Sequence, residues 1–446
     1  MGLLKTFLLG GIHPPENKLS ANKPIRSLEI PPQVIVPMGQ NLGAPSKPVV
    51  KRGDKVKTGQ LIAEAGGFIS SNVHSPVSGT IFKIDNIMDA SGYRRPAFII
   101  KVEGDEWEEG IDRSEALVTD VDLTPEAIIA KVKEAGVVGM GGATFPTHVK
   151  LMTPPGKKAD YLIINGVECE PYLTADHQLM LEKGPEIVVG TKILMKALKV
   201  NQAVIGIENN KPDAIKLMTE LTAGEEGITV QPLMVKYPQG GEKQLIKAIA
   251  NREVPSGKLP IEVGCVVQNV GTAFAVYEAV TKNKPLIERV VTVTGKALKN
   301  PPNLKVRIGV PVKNLVEAAG GLPEDTGKVI GGGPMMGKAL ATLDIPVVKG
   351  TSGILLMPEE ESHRAEESAC IRCSKCTQVC PMGLEPFLLS RLAHIGRFEI
   401  AEQEKVMDCI ECGSCQYTCP ANIPLLDYLR LGKNKVGAMI RARTRK

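Results

Sequence analysis

The chain has 446 residues, of which 43% are hydrophobic and 23% charged, a composition typical of a globular protein with several domains. Its net charge is only +5 and aromatic residues make up 4%, so it lacks the basic, aromatic-rich surface of nucleic-acid-binding proteins, and we expect no nucleic-acid partner. No apolar run approaches the ~20 residues of a membrane-spanning helix. The sequence also predicts no signal peptide, because the apolar start is followed by His13 and two prolines rather than by a cleavage site.

Residues 1–115 form the first predicted domain. Its strand-turn-strand stretches at 49–63 and 73–81 resemble the barrel-sandwich hybrid of lipoyl and biotinyl domains. Those carriers hold a lysine at the hairpin tip between the two halves, whereas residues 64–72 contain no lysine. We therefore predict a structural hybrid domain rather than a cofactor carrier.

Helical and strand patterns alternate over residues 116–285. Thr124 followed by Pro125 predicts the start of a helix, and Gly136 its end. Short apolar runs at 161–164 and 203–207 are of the buried-strand type, with helical stretches between them. This alternation predicts an α/β layer with a largely parallel, Rossmann-like sheet.

A strand-rich unit and a helical unit complete the chain. Strand patterns at 289–295 and 305–310, with a helix over 312–319, predict a small, soluble-ligand-binding β-grasp domain at 286–358. Strand signals then end, and residues 359–446 are predicted to be all-helical. The predicted fold class is thus multidomain α/β: a barrel-sandwich hybrid, a Rossmann-like layer, a β-grasp unit and a helical cysteine-rich domain.

Ten cysteines are distributed unevenly, with eight between Cys370 and Cys419. They repeat the spacing Cys-x2-Cys-x2-Cys-x3-Cys-Pro, which in bacterial ferredoxins holds two 4Fe–4S clusters, the fourth cysteine of each run ligating the other cluster. The alternative, a pair of structural zinc sites, uses looser spacing. The predicted ligands are Cys370, Cys373, Cys376 and Cys419 for the first cluster and Cys409, Cys412, Cys415 and Cys380 for the second. The two remaining cysteines, Cys169 and Cys265, are predicted to be buried apolar residues.

A glycine-rich stretch at 136–150 follows the first predicted helix. Glycines let a phosphate approach backbone N–H groups, and a lysine nearby neutralises its charge, although a tight turn alone uses the same glycines. The stretch resembles the flavin loop of the NADH-oxidising subunits of respiratory complex I, and segments at 165–171, 237–242 and 269–270 match that family in the same order. The resemblance implies FMN bound by Gly139, Gly141, Gly142, Lys150, Asn165, Glu168, Tyr237, Gly240, Glu242 and Asn269. It also implies NAD(H) contacts from Phe145 and Glu170, with no catalytic side chain because hydride transfer belongs to the flavin.

A second resemblance covers almost the whole chain. Residues 10–18, the hybrid domain, residues 332–337 and the doubled cysteine run together resemble the C subunits of Rnf complexes, the membrane-bound ferredoxin–NAD+ oxidoreductases. Membership implies an electron-transfer subunit that connects two 4Fe–4S clusters, FMN and NAD(H) in a complex translocating Na+ or H+. It implies membrane-integral partners, a ferredoxin-like B subunit, indirect contact with ferredoxin, and a peripheral position on the cytoplasmic side of the cell membrane.

Departures from the complex I pattern leave two alternatives open. Val167 replaces an aspartate, Gly241 replaces a glutamate, His148 replaces a glycine, and Thr153 stands near the place of an expected aromatic residue. These differences motivate an electron relay that no longer binds NAD. The other alternative is the diaphorase subunit of a hydrogenase or formate dehydrogenase, which the segment at residues 10–15 and the hybrid domain disfavour.

Overall fold

The computed structural model describes residues 4–444, with side chains up to residue 443. The first residues of the predicted domain at 1–115 and the last of the one at 359–446 therefore lie outside the described residues. The first part of the chain runs along two other units before it enters the hybrid domain. Lys5 forms an isolated parallel β-bridge with Leu233, and Ile12 forms an antiparallel one with Tyr237. Strand β1 (Ile25–Ser27) then pairs in parallel with residues 303–305.

The hybrid unit contains only strands, as predicted. A four-stranded antiparallel sheet contains the long hairpin β7–β8, and a three-stranded sheet lies beside it. Alternate residues such as Val34 and Val36 are fully buried, so one face of the sheet forms core while the other meets solvent. The strands are β2 (Gln33–Pro37), β3 (Lys47–Pro48), β4 (Lys55–Val56), β5 (Leu61–Glu64), β6 (Val73–His74), β7 (Gly79–Met88) and β8 (Arg94–Val102).

The second unit has four parallel strands in the order β11-β10-β9-β12, which confirms the predicted parallel sheet. The predicted helix start is also confirmed, because the Thr124 hydroxyl accepts a hydrogen bond from the amide of Ala127. The elements are α1 (Pro125–Glu134), α2 (Thr147–Leu151), β9 (Tyr161–Asn165), α3 (Ala175–Leu198), β10 (Ala203–Glu208), α4 (Pro212–Thr222), β11 (Ile228–Leu233), α5 (Glu242–Ala250), a 3-10 turn (Pro260–Val263), β12 (Cys265–Asn269) and α6 (Val270–Thr281).

Helices cover both faces of this parallel sheet. Leu162 and Ile164 enter the core that includes α3 and α6, whereas Ile163 enters a separate core that includes α5. Because the strands are parallel, β9 and β12 end at the same edge, and Asn165 lies opposite Asn269 in the register. Ligands of such folds bind beyond this edge.

The third unit is a mixed six-stranded sheet in the order β1-β14-β13-β17-β15-β16. Its core is continuous with that of the hybrid unit, since Val291 and Leu356 belong to the same buried cluster as Val36 and Phe98. The predicted domains 1–115 and 286–358 therefore share one hydrophobic core, and the positions of the domain boundaries stay predictions. The elements are β13 (Glu288–Thr294), β14 (Asn303–Arg307), α7 (Val312–Ala318), β15 (Thr326–Gly331), β16 (Lys338–Ala339) and β17 (Gly353–Pro358).

The last unit is all-helical through the described residues, as predicted, and it packs around a core that includes Leu389, Leu425 and Leu429. None of the helices in the described part of the chain has the length and hydropathy needed to cross a bilayer. The elements are α8 (Glu359–Ser362), α9 (Lys375–Gln378), α10 (Pro386–His394), α11 (Phe398–Gln403), a 3-10 turn (Val406–Asp408), α12 (Ser414–Tyr417) and α13 (Leu425–Thr444).

Candidate functional site

The two cysteine loops have the same backbone shape. Arg372 and Ser374 in the first loop, and Glu411 and Gly413 in the second, all adopt positive φ angles between 57° and 80°. Each loop then enters a short helix whose second residue is the third cysteine of its run. The repeated left-handed residues curl each loop, so its three cysteines follow a curved backbone.

The second loop and the fourth cysteine of the first loop line one buried pocket. Cys380 lines it together with Cys409, Cys412 and Cys415, and most of the other lining residues are apolar. Burial, with the nearby thiols of Cys412 and Cys380, raises the pKa of Cys409 to about 11. Four thiols around one mostly apolar pocket form a donor set that fits a 4Fe–4S cluster.

The other four cysteines lie nearer the surface. Cys370 and Cys373 are exposed, while Cys376 and Cys419 are half-buried. Burial raises the pKa of Cys376, and the thiol that adds to this effect is that of Cys419, from the second loop. The structure thus places Cys380 in a pocket with the second loop, and Cys419 near Cys376 of the first loop, while the two ligand sets stay predictions.

The glycine loop lies over the edge where β9 and β12 end. Gly141 has a φ of +79°, and a Cβ atom there would lie 2.9 Å from the Asn269 side-chain nitrogen, whereas one at Gly142 would meet nothing within 4 Å. The loop closes through a 2.8 Å hydrogen bond from the Gly139 amide to the Phe145 carbonyl. Open space above a bare glycine backbone fits a bound phosphate.

Charged and amide side chains surround the same edge. The Lys150 ammonium lies 2.7 Å from the Glu242 carboxylate and 3.2 Å from the carbonyl of Val267. The Asn165 side chain donates to the Gly240 carbonyl at 2.9 Å. These predicted flavin contacts, together with Asn269, therefore lie along one edge of the sheet, and their roles toward FMN stay predictions.

The two predicted acidic contacts make hydrogen bonds within the chain. The Glu168 carboxylate accepts from the amides of Asp176 and His177 at 2.8 and 3.1 Å, so it caps the start of α3. The Glu170 side chain is half-buried, and its carboxylate accepts from the amides of Met335 and Met336 at 2.6 and 3.0 Å. No pattern in the sequence indicates these partners, and the proposed flavin and NAD contacts of the two residues stay predictions.

Tyr237 connects the sheet edge to the buried cysteine pocket. Its ring is almost fully buried, and its hydroxyl donates to the carbonyl of Cys412 at 2.8 Å. The Glu170 carboxylate lies next to the same hydroxyl, and burial raises the pKa of Tyr237 well above its usual value. The buried pocket therefore adjoins the predicted flavin site directly.

Sequence reasoning missed Lys18, which supports the segment that carries both acidic residues. Its ammonium donates to the carbonyls of Glu168, Glu170 and Leu173 at 2.8, 3.0 and 2.8 Å. Burial and the charge of Lys211 lower the pKa of Lys18. The segment after β9 is thus fixed by a cation from the N-terminal part of the chain, a long-range contact that no local pattern indicates.

Lys18→Met is expected to lower the free energy of unfolding by about 2–4 kcal/mol, because three carbonyls lose a charged donor. Urea unfolding of the full chain measures this loss. Lys51→Met, at an exposed position, is the control and should change the midpoint little. Equal midpoints for the two variants would show that the ammonium does not support the segment.

Asp176 gives the site a pH-dependent stability. Burial and the neighbouring Glu168 charge raise the pKa of Asp176 to about 7, while its carboxylate accepts from Asn269 at 2.6 Å. The folded state therefore holds this proton more tightly than the unfolded chain, and the stabilisation is lost as the pH rises from about 4 to about 7. Between about pH 4 and pH 7 the free energy of unfolding of the Asp176→Asn variant should therefore fall by a few kcal/mol less than that of the wild type.

Urea unfolding at pH 5 and pH 8 tests this expectation. Asp344→Asn, on an exposed side chain, should keep the wild-type pH dependence. If Asp176→Asn keeps it too, the buried carboxyl does not set the pH response. Glu208, whose pKa burial also raises to about 7, leaves a residual response in either variant.

Comparison with known proteins shows the family of this chain. The C subunit of the proton-translocating ferredoxin:NAD(+) oxidoreductase complex of Clostridium ljungdahlii is 48% identical over 436 residues, covering 97% of this chain and 94% of the relative. The chain belongs to this family of C subunits. The Na(+)-translocating counterpart from Acetobacterium woodii is 46% identical over 97% of both chains. The C subunit of the ion-translocating oxidoreductase complex of Rhodobacter capsulatus is 43% identical over 97% of this chain and 84% of its own.

Four family models match successive parts of this family member. The RnfC barrel sandwich hybrid domain matches residues 6–105, and the Nuo51 FMN-binding domain matches residues 132–278. The SLBB domain matches residues 290–339, and the 4Fe-4S dicluster domain matches residues 363–420. The chain thus carries an FMN-binding domain and a dicluster domain, and the resemblance to C subunits predicted from the sequence is confirmed.

Proposed function

We propose that this chain is the electron-transfer subunit of an ion-translocating ferredoxin:NAD+ oxidoreductase, connecting NAD(H) with a one-electron partner. The observation that carries the proposal is the hydrogen bond from Tyr237 to Cys412, which seats the buried cysteine pocket against the edge of the flavin sheet. The other four cysteines lie nearer the surface, with Cys370 and Cys373 exposed. The order of carriers that we propose is therefore the flavin, the cluster in the buried pocket and the cluster at the exposed cysteines.

The cofactors divide the chemistry: bound FMN converts the two electrons of a hydride into single electrons, and each 4Fe–4S cluster carries one. The chain's own residues hold and shield these groups. In this proposal Gly141, Gly142 and Lys150 bind the FMN phosphate, and Asn165 and Asn269 orient the ring system. The cysteine sets predicted from the sequence hold the clusters, with the leucine-lined pocket keeping water from the inner one.

The assembly and location follow from the family. We infer that the chain is a peripheral subunit on the cytoplasmic side of the cell membrane, bound to membrane-integral partners and to a ferredoxin-like B subunit. The coupled ion is Na+ or H+, and its path lies in those partners. The domain ranges 1–115, 116–285, 286–358 and 359–446 form part of the same proposal.

NADH oxidation by the purified chain tests the proposal. With full FMN loading and about eight iron atoms per chain, the chain should reduce ferricyanide with NADH under anaerobic conditions. Removing FMN by dilution and gel filtration should abolish the rate, and adding FMN should restore it. A fully loaded chain that does not oxidise NADH would refute the proposed NADH site.

That negative result would support the second candidate, an electron relay without an NAD site. The observation favouring it is that the Glu170 carboxylate, the predicted NAD contact, is occupied by two backbone amides. A relay would still pass electrons from a low-potential donor through both clusters to FMN.

A further inference from the structure

Two glycine segments, residues 10–12 and 332–337, lie outside the residues assigned to the cofactors. They are more than 300 residues apart in the sequence and belong to different units. Both nevertheless contact the buried cysteine pocket, each from its own side. Together they are called the clasp.

The first half of the clasp packs on Cys380. Gly10 has a φ of +65°, and a Cβ atom there would lie 2.6 Å from the carbonyl carbon and oxygen of Cys380. The Gly11 amide donates to the Val379 carbonyl at 2.9 Å. Ile12 exchanges two backbone hydrogen bonds of 2.9 Å with Tyr237, so this half joins the first cysteine run to the flavin unit.

The second half packs on the other cysteine loop. A Cβ atom on Gly413, the residue after Cys412, would lie 2.9 Å from the carbonyl oxygen of Met335. The amides of Met335 and Met336 donate to the half-buried Glu170 carboxylate of the flavin unit.

Arg430 secures this second half from the helical unit. Its guanidinium donates to the Met336 carbonyl at 3.1 Å and lies 3.3 Å from the Glu411 carboxylate, inside the second cysteine loop. The segment at 332–337 is therefore tied on one side to the flavin unit and on the other to the loop that carries Cys412.

We propose that the clasp fixes the distance between the buried cluster and the flavin, so that its residues position the electron path without touching either cofactor. This inference rests on the proposed function. Both loops that supply the pocket are held, the first through Cys380 and the second through Gly413. Electron transfer between two groups slows steeply with their separation, and small displacements of reacting groups have large rate effects. A clasp made of close backbone contacts and several hydrogen bonds restricts such displacement.

Gly333→Ala tests the proposal in the full-length, cofactor-loaded chain. The new methyl group would overlap the Glu170 side chain, which two hydrogen bonds to the amides of Met335 and Met336 hold in place. Hydrogen exchange at 335–336 and 410–414 should become ~10-fold faster, since overpacking weakens the local structure. Reduction of the clusters by NADH should slow ~10-fold or more, while the ferricyanide rate at saturating NADH stays near wild type.

Gly224→Ala is the matched control, because its Cβ atom would meet nothing within 4 Å and its φ is not positive. Arg430→Met is the second variant, which removes the bonds to Met336 and Glu411 without adding bulk and should show the same pattern more weakly. Unchanged exchange and unchanged cluster reduction in both variants would overturn the proposal. A raised KM for NADH with normal cluster reduction would also overturn it, and would assign Glu170 to the nucleotide. A wild-type chain that does not oxidise NADH fails the proposed function instead, while the exchange measurement still tests the clasp.

Discussion

Cys380→Ala is expected to remove the cluster of the second cysteine run while leaving the cluster of its own run. The reason is geometric, since Cys380 lines the pocket formed by Cys409, Cys412 and Cys415. Iron and acid-labile sulfide should fall from about eight to about four of each per chain. The remaining cluster should be the exposed one at Cys370 and Cys373, which EPR and its faster reaction with surface oxidants can identify.

Cys419→Ala should give the converse result, keeping the buried cluster and losing the exposed one. Cys265→Ala is the control, because Cys265 lies in the core beside β9 and away from both loops. It should retain about eight iron atoms. If Cys380→Ala instead loses the exposed cluster, or loses both while remaining folded, the crossed ligand assignment is wrong.

Lys150→Met is expected to lower the FMN content of the purified chain to below about a tenth, because the FMN phosphate loses the cation that we propose for it. The substitution also leaves the Glu242 carboxylate, now 2.7 Å from the ammonium, facing the same site without a partner. The first effect removes an attraction for the anionic phosphate, and the second adds a repulsion. Flavin absorbance and fluorescence after gel filtration measure the bound amount.

Lys157→Met is a well-matched control for that variant. Lys157 belongs to the same unit and makes a 2.7 Å ion pair with Glu262, but on the surface away from the glycine loop. Its replacement should leave FMN binding intact, since exposed ion pairs contribute little. Full FMN retention in Lys150→Met would show that Lys150 does not bind the phosphate, and it would contradict the proposed orientation of the flavin.

Local patterns in the sequence were enough to predict several of the helices and strands of the fold. The strand at 161–164 and the capped helix after Thr124 were predictable because short-range burial and capping determine them. The spacing predicts an exchange of fourth cysteines, and Cys380 does line a pocket with the second loop, while the ligand sets stay predictions. In each case the information lies within a few residues of the feature.

The clasp, the Lys18 contacts and the path of the N-terminal segment were not predictable in this way. Gly10 contacts Cys380 and Gly333 contacts Glu170 across long sequence separations, and no local rule pairs such residues. A carboxylate that caps a helix or binds loop amides also looks the same in a sequence as one that binds a nucleotide. Glu168 and Glu170 show this ambiguity, since both were recognised by motif and both have partners inside the chain.

A continuous electron path from NAD(H) to an exposed cluster within this one chain is tested most directly by an anaerobic titration with NADH. Absorbance follows the flavin, and EPR counts the reduced clusters in the fully loaded, full-length chain. We expect NADH to reduce both FMN and clusters, and we expect Cys380→Ala, which lacks the buried cluster, to leave the exposed cluster oxidised on the same timescale. Reduction of the exposed cluster at the wild-type rate in Cys380→Ala would contradict a path that runs through the buried cluster.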